Sequence, residues 1–339
     1  MTDSPRREWL ERLPKVELHV HLEGSLSPTT VTHLSERHEV DTTEIWPDGI
    51  PEAFSFVDFP DFARQYIFGL GLIRTGEDLV DVVVGLGEDL LGHGVRYAEA
   101  TTTAYTHLTG ALSPADYRAA LDEGRRRVSA MGVELGWVID IPRDLETPES
   151  TTTTDLLAGP DAPAGTVAIG LGGYEVPFPA GWFAEQFGRA KALGLASVPH
   201  AGETVGPESV RSALDDLGAD RLGHGVRSIE DGALVAELAE RQVMLEVCPT
   251  SNLLLGVVDD LAAHPLRPLL DAGVNVCVNT DDPGWFATDL TNELVVASEH
   301  LGVTAAEHVA MQRAAVDASF MPDALRSELR AELDAVALP

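Results

Sequence analysis

The chain has 339 residues, of which 44% are hydrophobic and 23% charged, and this balance excludes extended disorder. Its 55 acidic residues outnumber the 23 basic residues and give a formal net charge of -32, which opposes binding to a nucleic acid polymer or an anionic membrane. We therefore expect a folded protein of enzyme size with neither of these as a partner.

From about Val16 onward, short β-rich runs alternate with longer stretches, and helical signals occur at 113–131, 206–217, 230–241 and 260–272. Repeated strand and helix predict parallel pairing, and eight units fit a closed (β/α)8 TIM barrel forming one domain, 1–339. An open dinucleotide-binding sheet would carry a G-x-G-x-x-G turn after a strand, which the chain lacks. The predicted strands are VELHV at 16, VRYAEA near 95, VELGWVID near 133, TVAIGL near 166, LASVPH near 195, ADRLGHG near 219, VMLEVCP near 243 and VNVCVNT near 274.

Two segments break the alternation. Residues 46–75 follow the first strand and helix and are rich in aromatic side chains, so we predict a lid inserted over the barrel mouth. Ordinary packing of an inserted helical hairpin explains the same aromatics and is compatible with a lid. The run at 145–163, rich in Thr, Pro, Glu and Gly, predicts a flexible connection where the fourth crossover helix was expected.

His19 and His21 lie at the end of the first predicted strand, in ELHVHLEG. Successive side chains of a strand alternate between its faces, so these two imidazoles point the same way, toward the barrel interior if Leu18 and Val20 point outward. The pair indicates a metal site if further ligands converge on it.

Two later strand ends supply the partners. His200 ends the fifth strand in VPHAGE, and Asp281 and Asp282 follow the eighth strand in VNTDDP. These positions share the carboxyl end of the barrel, where active sites are built. Three imidazoles and a carboxylate suit one Zn²⁺ per chain, with a remaining position for water or substrate.

Bound zinc lowers the pKa of water toward neutrality, so the predicted reaction is hydrolysis. Glu203 lies three residues after His200 and can move a proton between water and substrate. His224 ends the sixth strand between two glycines, in LGHGV, where an imidazole can orient the attacking water or stabilise developing negative charge.

Other polar residues carry weaker signals. Cys248 and Cys277 lie in apolar strands and are read as small buried residues, since their spacing fits neither a disulfide framework nor a cysteine zinc site. Residues 1–13 lack an apolar signal core, so we expect a cytoplasmic protein. Tyr97, Glu99 and Glu246 are compatible with either the site or barrel packing. The histidines predicted to be surface or packing residues are His33, His38, His93, His107, His264, His300 and His308.

Six motifs occur in order over nearly the whole chain, and together they resemble the adenosine deaminase family. Members of that family have a (β/α)8 barrel and bind one zinc ion per chain. The resemblance therefore implies a hydrolytic deaminase whose small-molecule partner is a purine base or nucleoside. The H-x-E and P-C-x-x-C signature of the cysteine-ligated cytidine-type deaminases is missing. The motifs are PKVELHVHLEGSL at 14, GLGGYE at 170, PHAGE at 199, LGHGV at 222, EVCPTSN at 246 and NTDDP at 279.

The resemblance implies roles for residues that match the family motifs. The metal ligands correspond to His19, His21, His200 and Asp281. The other positions match the general acid/base at Glu203, the histidine assisting attack on purine C6 at His224, the carboxylate beside N7 at Asp282, and the glycine whose backbone contacts N3 at Gly173. Water would add at C6, ammonia would leave, and the product would be a 6-oxopurine.

Two substrate-binding positions differ from the pattern of adenosine-acting members. Glu23 replaces the aspartate that binds the 5′ side of ribose, as in adenine-acting relatives, and Tyr174 replaces another aspartate. Other motifs, such as LEVCPTSN and SVPHAGET, resemble actinobacterial nucleoside deaminases. Adenosine or a 5′-modified adenosine is the first expectation, and free adenine or aminodeoxyfutalosine is the alternative.

Two different classes of function were weighed against deamination. A purine-binding pseudo-enzyme would be expected to have lost at least one residue of the metal and proton-transfer set, and all are present. A metal-dependent phosphoesterase would require more metal ligands and cationic residues for phosphate, which the predicted site lacks.

Overall fold

The eight predicted strands form one parallel sheet in chain order. The computed structural model describes residues 5–57 and 59–339. Each strand lies beside the next in sequence, which is the topology of the predicted TIM barrel. The strands are β1 Lys15–His21, β2 Val95–Thr102, β3 Glu134–Pro142, β4 Thr166–Gly172, β5 Ala196–Ala201, β6 Arg221–His224, β7 Met244–Val247 and β8 Val276–Val278.

The barrel closes between the segment after β8 and the end of β1. Val20 and Asp281 form a parallel bridge, in which the Asp281 N–H donates to the His19 carbonyl at 3.1 Å and the His21 N–H donates to the Asp281 carbonyl at 2.8 Å. The closure therefore runs through the backbone of three predicted metal ligands, so barrel formation itself brings them together.

Within the described ranges, helices follow most strands and cover the outside of the barrel. They are α1 Arg7–Arg12, α2 Pro28–Arg37, α3 Phe59–Leu70, α4 Gly76–Gly92, α5 Ala104–Thr109, α6 Pro114–Met131, α7 Thr152–Ala158, α8 Ala184–Ala192, α9 Pro207–Asp215, α10 Gly232–Arg241, α11 Pro249–Leu254, α12 Leu266–Asp271, α13 Pro283–Phe286, α14 Leu290–Leu301, α15 Ala305–Ala318 and α16 Asp323–Asp334. Short 3-10 helices occupy Glu23–Ser25, Ala180–Phe183, Val226–Glu230 and Leu261–Ala263. None of these described helices is long and apolar enough to cross a membrane.

Two local predictions are wrong. The expected flexible connection at 145–163 contains α7, whose start is stabilised by Glu146, because this carboxylate accepts hydrogen bonds from the Thr153 N–H and hydroxyl. The helix predicted at 260–272 is divided into a 3-10 helix and α12. Pro265 separates them, because proline disfavours helical backbone in the residue before it.

The aromatic segment at 46–75 packs at the mouth of the barrel. Its residue 58 lies outside the described part of the chain. Trp46 stacks on Phe54, and Phe54 stacks on Trp285 of α13 with ring centroids 4.3 Å apart. Phe62 of α3 lies 5.3 Å from Phe286 by ring centroids. The segment is thus held on α13, directly after the predicted ligand Asp281.

Replacing Glu293 of α14 with Gln should flatten the pH dependence of stability. Glu293 is fully buried, and burial raises its pKa to about 7 despite hydrogen bonds from Thr250 and Thr288. A raised folded-state pKa means that stability falls as pH rises from the unfolded value of about 4.5 to about 7, by roughly 1.4 kcal/mol for each pH unit per proton. Urea unfolding of both proteins at pH 5, 6, 7 and 8 measures this slope, and equal slopes would contradict the assignment.

Candidate active site and metal centre

The four predicted metal ligands meet at the carboxyl end of the barrel. The Nε2 atoms of His19 and His21 lie 3.3 and 3.2 Å from Oδ1 of Asp281. His21 Nε2 also lies 3.1 Å from Nε2 of His200. Nitrogen and oxygen donors from β1, β5 and the turn after β8 therefore converge, as strand periodicity predicted for the histidine pair.

His19 is held by a buried carboxylate with its other ring nitrogen toward the site. Its Nδ1 lies 3.0 Å from Oε2 of Glu246, whereas its buried Nε2 faces Oδ1 of Asp281. A carboxylate can only accept, so Nδ1 carries a proton, and a metal that displaces the second proton would bind at Nε2. Arg221 donates to the other oxygen of Glu246 at 2.6 Å. Glu246, which the sequence left undecided, is thus a buried partner of a predicted ligand.

The electrostatics of this group fit a bound cation. Burial lowers the pKa of His19, but hydrogen bonds to Asp281 and Glu246 outweigh burial and raise it to about 10. For His21, burial is likewise outweighed by Asp281 and Asp282, and the pKa rises to about 9. The surrounding carboxylates therefore favour positive charge at these nitrogens, and a divalent metal supplies it.

His224 lies in the same cluster. His19, His200, His224 and Asp281 each offer one ligand atom within 4.8 Å of the others. His224 Nε2 lies 3.7 Å from Asp281 Oδ2 and 3.8 Å from Glu203 Oε1. It therefore faces both the predicted metal position and the predicted acid/base.

Backbone conformation at the site departs from the usual regions. His224 and Asp281 have φ angles of 58° and 68°, in the left-handed region that non-glycine residues rarely adopt. Gly223, beside His224, leaves space for the rings: a Cβ there would lie 2.8 Å from Cε1 of His19 and 3.2 Å from Cγ of His200. The first glycine of LGHGV is therefore required by imidazole packing.

Two carboxyl groups near the predicted metal position can hold protons. Burial, followed by the charges of Asp281 and Glu175, raises the pKa of Glu203 to about 8. Burial and the Asp281 charge raise the pKa of Asp282 to about 7. Both groups can therefore donate a hydrogen bond near neutral pH, which ordinary carboxylates cannot do.

A cavity of about 220 Å³ opens over these groups. Gly173 and Tyr174 form part of its wall, and Tyr66 and Phe62 of α3 lie across it. Tyr174 is 43% exposed and stands at the mouth. Among the described residues that line the cavity there is no Lys or Arg, whereas Asp140, Asp144, Glu203, Asp281 and Asp282 all contribute.

Glu23, like His19, is a predicted site residue that does not line this cavity, but Glu23 was predicted to contact the substrate. It is fully buried, and its Oε1 accepts hydrogen bonds from the Thr102 hydroxyl at 2.7 Å, His107 Nε2 at 2.8 Å and the Thr103 N–H at 3.2 Å. Thr103 lines the cavity, so Glu23 contacts a residue of the cavity wall without reaching the cavity itself. His107, read from sequence as a surface or packing residue, is its buried partner.

Glu175 organises the loop that carries Glu203. Its two carboxylate oxygens accept hydrogen bonds from the backbone N–H groups of Gly202, Glu203 and Thr204 at 3.1, 2.9 and 2.8 Å. The Ser209 hydroxyl adds a further hydrogen bond. Sequence reasoning missed this residue, although it is the last residue of the GLGGYE motif that also supplies Gly173.

Replacing Glu175 with Gln should lower kcat about ten- to a hundredfold, because the amide would turn an N–H group toward backbone donors and displace Glu203. Glu146→Gln is the matched control, since Glu146 is equally buried and accepts comparable hydrogen bonds without lining the cavity. Steady-state kinetics at equal metal content measures the effect. Equal kcat values for the two variants would show that the Glu175 contacts do not matter for turnover.

The family model described as adenosine deaminase matches residues 14–336. The chain belongs to this family. It is similar to the aminodeoxyfutalosine deaminase of Streptomyces avermitilis, with 40% identity covering 98% of this chain and 94% of the relative. The adenine deaminase of Rhodospirillum rubrum is 36% identical over 97% of this chain and 98% of its own. Family membership confirms the predicted class, a metal-dependent hydrolase.

A solved structure extends the likeness to three dimensions. The crystal structure of an adenine deaminase from Arthrobacter aurescens superposes with a TM-score of 0.88 at 30% identity, covering 95% of this chain and 98% of that one. The eight-stranded barrel predicted for this adenosine deaminase family member is therefore confirmed.

Proposed function

We propose that this protein hydrolyses the 6-amino group of adenosine or a 5′-modified adenosine, releasing ammonia and a 6-oxopurine. The observation that carries the proposal is the convergence of three imidazoles and Asp281 beside Glu203, at a cavity that His21, His200, Asp281 and Glu203 line. The named relatives act on adenine or on aminodeoxyfutalosine, and the 6-aminopurine is the part we expect this chain to share with them.

His19, His21, His200 and Asp281 would hold one zinc ion per chain. When bound, zinc would supply a water molecule of lowered pKa for addition to the purine. Glu203 would take a proton from this water and deliver it to the ring nitrogen next to C6, and its raised pKa suits this exchange. The remaining proton of the added oxygen would then pass to the 6-amino group, which would leave as ammonia as the 6-oxo group forms. His224 would donate a hydrogen bond to the adding oxygen from its place between Glu203 and Asp281.

The remaining contacts would orient the purine. Asp282 lines the cavity, and its buried Oδ1 has no hydrogen-bond partner, so a protonated Asp282 can donate to N7. The Gly173 N–H would contact N3. Gly173 has a φ of 83°, and a Cβ there would lie 2.3 Å from Asp144 Oδ1, so only glycine suits this position.

We assign the lid role to residues 46–75. Phe62 and Tyr66 face the cavity from α3 and would cover a bound purine. A lid over the mouth would exclude bulk water from the reacting groups. Tyr174, half exposed on the rim, would then border the side on which a nucleoside carries its sugar.

Free adenine and aminodeoxyfutalosine are the alternative substrates, each favoured by a named relative. A panel of adenine, adenosine, 5′-deoxyadenosine, methylthioadenosine and aminodeoxyfutalosine separates them, with turnover followed by the absorbance change on conversion of the 6-amino to the 6-oxo group. We expect the highest kcat/KM for a nucleoside. A higher value for free adenine would transfer the assignment to the base, and no turnover of any member by zinc-loaded protein would reject deamination.

A further inference from the structure

A line of buried side chains connects His224 to a helix start at the edge of the barrel. The His224 Nδ1 lies 3.2 Å from the Asn252 amide nitrogen, and the Asn252 amide oxygen lies 3.1 Å from His264 Nε2. The backbone N–H of Leu266 then donates to His264 Nδ1 at 3.1 Å. All three side chains are at most 2% exposed, so water does not compete for their hydrogen bonds.

The direction of every hydrogen bond in this line follows from its outer end. A backbone N–H can only donate, so His264 Nδ1 must accept, and the neutral ring carries its proton on Nε2. His264 Nε2 therefore donates to Asn252, which must present its oxygen on that side. The opposite side of Asn252 is then its NH₂ group, which donates to His224 Nδ1. His224 consequently carries its single proton on Nε2.

The surroundings of this line of side chains agree with these hydrogen-bond directions. Leu266 is the first residue of α12, where backbone N–H groups have no partner within the helix, and His264 Nδ1 satisfies one of them. Asn252 lies in α11, which begins directly after β7 and Cys248. Burial lowers the pKa of His264 to about 4, so its ring is neutral, as an accepting Nδ1 requires.

His19, across the site, has the opposite proton arrangement when metal is bound. Glu246 accepts from Nδ1 of His19 and leaves its Nε2 to bind the metal, whereas Asn252 donates to Nδ1 of His224 and leaves its Nε2 as a donor. A ring that accepts at Nδ1 could coordinate metal through Nε2 only as an imidazolate. Although both rings lie in one cluster, their neighbours therefore suit His19 to binding metal and His224 to donating a hydrogen bond.

We propose that His264 and Asn252 are positioning residues that keep the proton of His224 on Nε2, so that His224 acts as a hydrogen-bond donor toward the reacting oxygen and not as a metal ligand. The kinetic part of this proposal rests on the proposed function. The tautomer itself is a property of the protein and can be measured without turnover.

The tautomer is tested by NMR of zinc-loaded protein carrying ¹³C- and ¹⁵N-labelled histidine, with the His224 signals identified by their loss in His224→Gln. We expect Nε2 protonated and Nδ1 unprotonated. In Asn252→Asp the nearly isosteric carboxylate can only accept, so Nδ1 of His224 should gain a proton. A wild-type ring protonated on Nδ1, or a ring unchanged in Asn252→Asp, would overturn the proposal.

Steady-state kinetics distinguishes a role of His264 in positioning His224 from a role in packing alone. His264→Phe should lower kcat about tenfold with little change in KM or zinc content, because the loss of one orienting hydrogen bond corresponds to roughly 1.4 kcal/mol, or a factor of ten. His264→Gln, whose amide can still donate to Asn252, should recover most of the loss. The matched control is His308→Phe, because His308 is a buried neutral histidine bonded to Ser298 outside the cavity.

His308→Phe should lower the melting temperature as much as His264→Phe while leaving kcat and the His224 signals unchanged. Equal effects of the two Phe variants on kcat would overturn the positioning role. If His264→Phe does not fold, Asn252→Asp and His264→Gln carry the test. If wild-type protein deaminates nothing, the proposed function fails, but the NMR result still decides whether the line of side chains sets the tautomer.

Discussion

Glu203→Gln is expected to lower kcat for deamination by about a thousandfold or more while KM changes little. The substitution keeps the shape of the side chain but removes its ability to accept and return a proton, and general acid/base groups contribute about 10²- to 10⁴-fold. The loss of kcat should lie in the upper part of this range, because Glu203 lies 3.8 Å from His224 within a buried cluster and its pKa is raised to about 8. A group of ordinary acidity would return a proton to the ring less readily.

The control for this variant is Glu208→Gln, the same change at an exposed position five residues further along the chain. It should leave kcat within about twofold, as expected for a surface substitution away from the site. Stopped-time assays of ammonia release at equal zinc content compare the three proteins. If Glu203→Gln retained more than a tenth of wild-type kcat, Glu203 would not be the proton-transfer residue.

Removing the metal with a chelator should abolish detectable turnover and lower the melting temperature, and added zinc should restore both. Without a cation, Glu203 and Asp282 must hold protons to lie beside the Asp281 charge in a buried site, and the ligands lose the stabilising interaction that the metal supplies. A ligand present at about 1,000 times its Kd stabilises a folded protein by roughly 4 kcal/mol. The shift should therefore be large enough for thermal unfolding to detect.

His200→Ala gives a second route to the metal-free protein. We expect it to copurify with far less zinc and to show no activity, because it removes a converging nitrogen donor. His300→Ala, at an exposed helix position, should retain full metal content and full activity. Undiminished turnover by chelated protein, with its metal content confirmed as zero by elemental analysis, would contradict a metal-dependent reaction.

Features that depend on local periodicity were predictable from sequence. The alternation of strand side chains placed His19 and His21 on one face, and the carboxyl ends of β5, β6 and the eighth strand gave His200, His224 and Asp281. These predictions use only the period of a strand and the rule that parallel strand ends share one face of a barrel. The residues therefore follow from the fold class once eight strands are recognised.

Features that depend on which loop packs against which were not predictable. Glu175 and Glu203 are separated by 28 residues, and their contact requires the positions of the loops after β4 and β5. His264 was predicted to be a surface or packing residue inside one long helix, and the break at Pro265 places its ring beside Asn252. Glu23, predicted to contact the substrate, bonds to His107, a contact across 84 residues that strand periodicity does not specify.

Turnover of adenosine in water enriched in ¹⁸O tests the central claim most directly, because hydrolytic deamination replaces the exocyclic nitrogen by one oxygen from solvent. For zinc-loaded protein, mass spectrometry should find one ¹⁸O atom in each 6-oxopurine product and one ammonia released per product. The best substrate from the panel replaces adenosine if adenosine itself reacts slowly. Product without solvent oxygen, or no ammonia from any adenine compound at full zinc occupancy, would contradict the assignment.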